Sequence, residues 1–286
     1  MYASIIKKLF TPKNNSESLF GPKENYTNIL FALENLIWEK EFLLPISLIL
    51  AELSRIENSS NLGNKPINTL VSVYKVWHPQ TFADVNERNQ ALETVIKKYP
   101  EVGFQLCIKL LDRLDHDTSI ATHPMRWRCF GQQKPVVFAK DINKSINAIC
   151  NMLIENCNKS ASQICQILDI STQFAIGTEN RKLLFDFVSE HYIEFAGNVL
   201  VADKIRTQIY HHRSFPDAQW ALPNDEIKLY EGLLPLVEPQ DKMQKYLWMF
   251  KDSYLETQEI DRHNHDYQKR WGKTIEIRNK ALADIL

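Results

Sequence analysis

Apolar residues along this chain recur with a helical period almost everywhere, so the pattern predicts one α-helix after another. In NYTNILFALENLIWEKE, Ile29, Leu33, Leu36 and Ile37 fall on one stripe. EFLLPISLILAELSRIE carries the next stripe, with Pro45 expected in a first turn, where no N–H partner is needed. The two read as an antiparallel helix pair with a very short connection. The turn-rich SSNLGNKPINTL closes the pair, and a third helix is expected from Pro66 to about Tyr74. Beyond it, Asp84 followed three residues later by Glu87 forms a capping-box start. Val85, Leu92, Val95, Ile96 and Tyr99 make the apolar face of that helix. Pro100 stops it and suits the first turn of PEVGFQLCIKLLDRL.

Residues 112–140 are the longest stretch without helical periodicity, and long loops in compact domains tend to be functional. Helices then resume through DINKSINAICNMLIENCN, SASQICQILDI, TENRKLLFDFVSEHYIEFA and NVLVADKIRTQIYHH, with Ser160 and Gln163 placed as a second capping box. RSFPDAQWALPNDE interrupts again before a short helix near Leu229, and two more helices are expected over 240–254 and 267–286. A helix–turn–helix unit of about 35–45 residues recurs loosely in length, the range of helical repeats. The expected fold is therefore all-α, with helix-hairpin repeats stacked as an irregular α-solenoid and one long non-helical loop near 112–140. It reads as a single repeat-like region over 1–286, with sub-halves 1–111 and 141–286 on either side of the loop. The last helix ends on the apolar positions Leu282, Ile285 and Leu286, so a fragment of a larger chain is expected.

Composition narrows the function classes. Of 286 residues, 44% are apolar and 24% charged, which suits a globular rather than a disordered chain. A net charge of −1, from 34 basic and 35 acidic residues, gives no overall field toward nucleic acid or anionic membrane. The low glycine count, 8, favours helices over folds with many tight turns. None of the five cysteines forms a C-x-x-C pair, so neither a zinc knuckle nor a redox motif is signalled, and reduced thiols in a cytoplasm fit best. EFLLPISLILAEL is too short and too closely flanked by Glu to span a bilayer.

The candidate chemistry lies in a few strings. In VYKVWHPQT, Trp77 and His78 stand before Pro79; they read first as a joint in which Trp77 anchors a helix end, and second as a binding pair. In HDTSIATHPMRWR, His116, Asp117 and His123 are donors without the spacing of a helical metal site. Arg126, Trp127 and Arg128 are the better binding candidates there, two guanidiniums around an indole suiting phosphate, carboxylate or a stacked base. Adjacent His211 and His212 end a helix, where histidine is favoured by the dipole. His263, His265 and Asp266 read as a solvated helix start. Neither a P-loop nor G-x-G-x-x-G occurs, and no nucleophile elbow is present. No catalytic residue, metal site or cofactor is assigned.

In the order SLFGPKENYTNILFALENLIW, LILAELSRI, NKPINTLVSVYKVWHPQT, ERNQALETVIKKYPEVGFQLCIKLL and HDTSIATHPMRWR, the chain resembles the helical region of very large bacterial proteins of the antiviral STAND type, signal-transduction ATPases with numerous domains. The resemblance implies a non-catalytic scaffold or sensor that contacts another protein or neighbouring domains of its own parent. It transfers no catalytic residue, because the ATPase and effector motifs of such proteins do not occur here. The rival reading is a metal-assisted hydrolase or nuclease built on the His/Asp/Arg loop at 115–128. Nucleic-acid binding through Arg126 and Arg128 is a third, less favoured reading.

Overall fold

The structure, a computed structural model, describes residues 24–56, 65–112, 135–260 and 266–286. Among them it is all-α, with no strand. Its helices are α1 (Glu24–Leu36), α2 (Lys40–Ile56), α3 (Pro66–Tyr74), α4 (Val85–Lys98), α5 (Pro100–Asp112), α6 (Ala139–Glu155), α7 (Ala161–Ser171), α8 (Thr178–Glu190), α9 (Val199–Ser214), α10 (Asn224–Val237), α11 (Lys242–Tyr246) and α12 (Tyr267–Ile285). The chain divides into two compact units, Met1–Asn156 and Cys157–Leu286. The division falls after α6 and not in the 112–140 stretch, because α6 packs on α5 and α4 of the first unit. The expected halves, 1–111 and 141–286, therefore give way to a boundary one helix later. Residues 113–134, most of the expected loop, lie outside the described residues.

In the first unit α2 packs on both α3 and α4, α3 on α5, and α4 on both α5 and α6. Leu50, Leu70, Val95, Phe104 and Leu153 are among the fully buried side chains that join them. Several polar groups trapped in this core are paired. The Thr69 hydroxyl donates to Glu34 Oε1 at 2.7 Å, and the Ser47 and Tyr74 hydroxyls lie 2.8 Å apart. Asp84 caps α4 as the sequence predicts, accepting from the amides of Asn86 and Glu87, while the Glu87 carboxylate accepts from the Asp84 amide at 2.7 Å. Those amides, Glu87's first, hold the Asp84 carboxyl below its ordinary pKa.

Other local expectations are corrected. α2 starts at Lys40, so Pro45 sits inside the helix and not in its first turn. Ser160 precedes α7 without a side-chain cap; the Asn158 carboxamide accepts from the Ser160 amide at 2.9 Å, and Gln163 accepts from the Asn158 amide at 2.7 Å. The helix around Leu229 runs to 14 residues, with Asp225 and Glu226 favouring its first turn. The helix expected over 240–254 is instead α11 and a 3₁₀ turn, Leu247–Phe250. Arg278 explains the break, since its guanidinium takes the carbonyls of Met249 at 2.7 Å and Asp252 at 2.5 Å.

α4 and α5 meet without a linker, and Gly103 makes their approach close: a Cβ there would lie 2.8 Å from Ile96 Cα. Alanine in a helix is ordinarily favoured over glycine by up to about 1 kcal/mol. Here the backbone of α4 blocks it, and Gly103→Ala is expected to destabilise the first unit by about 1–2 kcal/mol in urea unfolding. A neutral or stabilising result would contradict this packing.

Candidate functional site

Four arrangements carry the polar and aromatic chemistry of the described residues. The first is the stretch around Trp77 and His78. Here the chain after α3 is tied to the corner between α1 and α2. The Phe82 amide donates to the Trp38 carbonyl at 2.9 Å and the Thr81 hydroxyl to the same carbonyl at 3.3 Å. The Ala83 amide donates to Thr81 Oγ1 at 3.2 Å, and Arg88 Nη1 to the Ala83 carbonyl at 2.8 Å. Trp38, fully buried, packs at 5.5 Å from the Phe82 ring. The stretch is thus a joint, but its anchor is Trp38 and not Trp77, which is 46% exposed. His78 is partly buried. His116, Asp117, His123, Arg126, Trp127 and Arg128 lie outside the described residues.

The second arrangement is a polar network in the second unit. Arg181 grips Glu226 with two parallel bonds, Nε to Oε2 at 2.9 Å and Nη2 to Oε1 at 2.7 Å. Nη2 also reaches the Thr178 hydroxyl at 3.2 Å. The Ser171 and Tyr230 hydroxyls lie 2.8 Å apart, and burial pushes the Tyr230 phenol up to about 12. His212 accepts from the Leu222 amide at Nδ1, 3.0 Å away. Burial, then the nearby His211 and Arg181, push its pKa down to about 4. These groups pair with one another, which suits a structural role better than a reacting one.

A pH effect follows from His212. Its folded pKa lies below the unfolded value of about 6.5, so the unfolded chain takes the proton first. The stability that neutral His212 provides is full above about pH 6.5 and is lost as pH falls through about 4. In thermal unfolding, the advantage of wild type over His212→Asn is expected to shrink by about 2 kcal/mol across that window. A constant difference would show that the histidine is not held neutral.

The four described cysteines, Cys107, Cys150, Cys157 and Cys165, are free thiols. Burial raises Cys107 and takes Cys150 up to about 12, which makes them poor nucleophiles.

The fourth arrangement, which the sequence reading did not single out, lies on α12. This helix buries Thr274, Ile277 and Ala281 inward. Beside that inward stripe runs a row at four-residue spacing, Tyr267, Trp271, Ile275, Asn279 and Ala283, exposed and without a charge. A parallel row, Arg270, Thr274, Arg278, Leu282 and Leu286, flanks it. Tyr267 and Trp271 are 56% and 41% exposed, and their rings lie nearly parallel, 9° between planes. The Tyr254 ring meets Tyr267 edge-on at 6.4 Å and carries the Arg270 guanidinium at 5.8 Å. Arg278 sits 5.8 Å from the Phe250 ring. Tyr254 also borders a groove of about 550 Å³ lined by Asp203, Arg206, Trp248, Lys251 and Glu256. Within it Arg206 lies over Trp248 at 5.1 Å while pairing with Asp203 and Glu238 at 2.7 and 2.8 Å. The signal was present in the sequence as a helix whose lysines and carboxylates keep to one side, but its inward stripe alone accounts for a helical period.

Among the described residues, no group of three or more His, Cys, Asp and Glu could hold a metal ion, and no helix is long and apolar enough to cross a membrane. Comparison of the chain with protein-family models, with curated proteins and with solved structures finds no match in any of the three.

Proposed function

We propose that this chain is a non-catalytic helical scaffold or sensor module that makes protein–protein or interdomain contacts in a larger bacterial defence or signalling protein of the cytoplasm. The observation that carries the reading is the exposed face of α12. It sets Trp, Tyr and Arg, the residue types that dominate protein interfaces, on a surface that neighbouring charges do not solvate. The helix pairing supports it too: α2 and α4 each pack on the next helix and the next but one, as helices do in a stack of hairpins that presents an extended surface. The resemblance to the helical region of STAND-type proteins points the same way.

The rival is a metal-assisted hydrolase or nuclease on the loop at 115–128. Metal analysis of the purified chain separates the two. The scaffold reading expects substoichiometric zinc and manganese, and no metal-dependent phosphodiester cleavage. One equivalent of either metal, lost in a His116→Ala/His123→Ala variant, would overturn it.

A further inference from the structure

Resting on that reading, we infer that the exposed face of α12 docks an α-helix whose apolar side is flanked by two carboxylates spaced to meet Arg270 and Arg278. Shape argues for a helix. The rows Trp271–Ile275–Asn279–Ala283 and Arg278–Leu282–Leu286 are adjacent ridges of the four-residue kind, and the groove between two such ridges takes a ridge of another helix. Gly272 opens the surface further, since a Cβ there would meet nothing within 4 Å.

Charge argues for acidic flanks. The lysines on the polar side of α12 are matched: Lys273 and Lys280 both pair with Glu276, at 3.1 and 2.9 Å. Lys242 pairs with Asp284 at 3.1 Å, and Lys251 pairs with Asp203 in the groove. Arg270 and Arg278 meet no carboxylate among the described residues. Arg278 spends donors on two backbone carbonyls, and Arg270 Nε is buried without a hydrogen-bond partner. A guanidinium has five N–H donors, so both side chains retain donors for an incoming carboxylate. Eight residues apart, they stand about 12 Å from each other along the helix. Acidic residues seven or eight positions apart on the docking helix span the same distance. A second copy of α12 cannot supply them, because Glu276 and Asp284 are already engaged. A nucleic acid would need a run of unpaired cations, and the surrounding lysines are paired.

The test is selection of a displayed library of helix-scaffolded peptides on the full chain, with counter-selection on the Trp271→Ala variant. The expected consensus has apolar residues at four-residue spacing with Asp or Glu at two positions seven or eight apart. The best selected peptide should bind at least tenfold more weakly to Trp271→Ala and about threefold more weakly to Arg270→Gln. Leu229→Ala, an exposed change on α10, should leave its affinity unchanged. Circular dichroism of the variants excludes unfolding as the cause. No enrichment over Trp271→Ala, or a consensus without acidic residues, would overturn the inference. So would a dimer in sedimentation, or single-stranded oligonucleotide binding, if either is lost in Trp271→Ala. A chain that holds no stoichiometric metal and enriches no acidic helix loses this inference and keeps the scaffold reading. A metal equivalent lost with His116 and His123 removes both.

Discussion

Trp38→Ala is expected to cost the first unit about 4 kcal/mol, the range for deleting a large buried aromatic. The indole is fully buried in the corner between α1 and α2, and its loss leaves a cavity beside Phe82 that the surroundings fill only in part. The bonds from the Phe82 amide and the Thr81 hydroxyl to the Trp38 carbonyl remain available, but the packing that holds that carbonyl in place does not. The damage should therefore reach the joint at residues 80–83. Urea unfolding gives the size of the loss, and hydrogen exchange should show the Phe82 amide losing protection together with the α1–α2 corner. A loss under about 1.5 kcal/mol would mean that the corner is not anchored by this ring. Trp77→Ala is the internal comparison, and at a half-exposed site it should cost well under 1 kcal/mol.

The second large effect belongs to Arg181. Arg181→Met removes both bonds to Glu226 and leaves a largely buried carboxylate without its partner, an expected loss of about 3 kcal/mol in the second unit. Much of that cost belongs to the stranded charge and not to the pair itself. Arg181→Met with Glu226→Leu should therefore recover most of the loss. If the double change is as damaging as the sum of the single ones, the two side chains are uncoupled and the stranded charge is not the source of the loss. Arg181 also helps to keep His212 neutral, so Arg181→Met should move the His212 titration upward.

How far the sequence disclosed this protein depends on whether a feature is local. The capping box of Asp84 and Glu87 was legible because three-residue spacing alone puts the two side chains on each other's amides. The same letters misled at Ser160 and Gln163, where Asn158, two residues upstream, takes the Ser160 amide first. Which tryptophan anchors the joint at residues 73–81 was not legible. Trp77 stands in the joint, but the carbonyl that receives Thr81 and Phe82 belongs to Trp38, more than forty positions before them. The boundary between units was placed in a loop because periodicity fails there, whereas it is set by the helices on which α6 packs. The face of α12 was legible in principle. Its lysines and carboxylates gather on one side, but that distribution separates a covered face from an open one only once the inward positions, Thr274, Ile277 and Ala281, are known.

The interaction-module account places function on α12, and its rival places function on the loop at 115–128. One side-by-side measurement decides between them: the affinity of the best selected acidic helix for wild type, Trp271→Ala and His116→Ala/His123→Ala, by fluorescence anisotropy. The account predicts at least a tenfold loss for Trp271→Ala and no change for the double histidine variant. Binding that survives Trp271→Ala and disappears with the two histidines would contradict it.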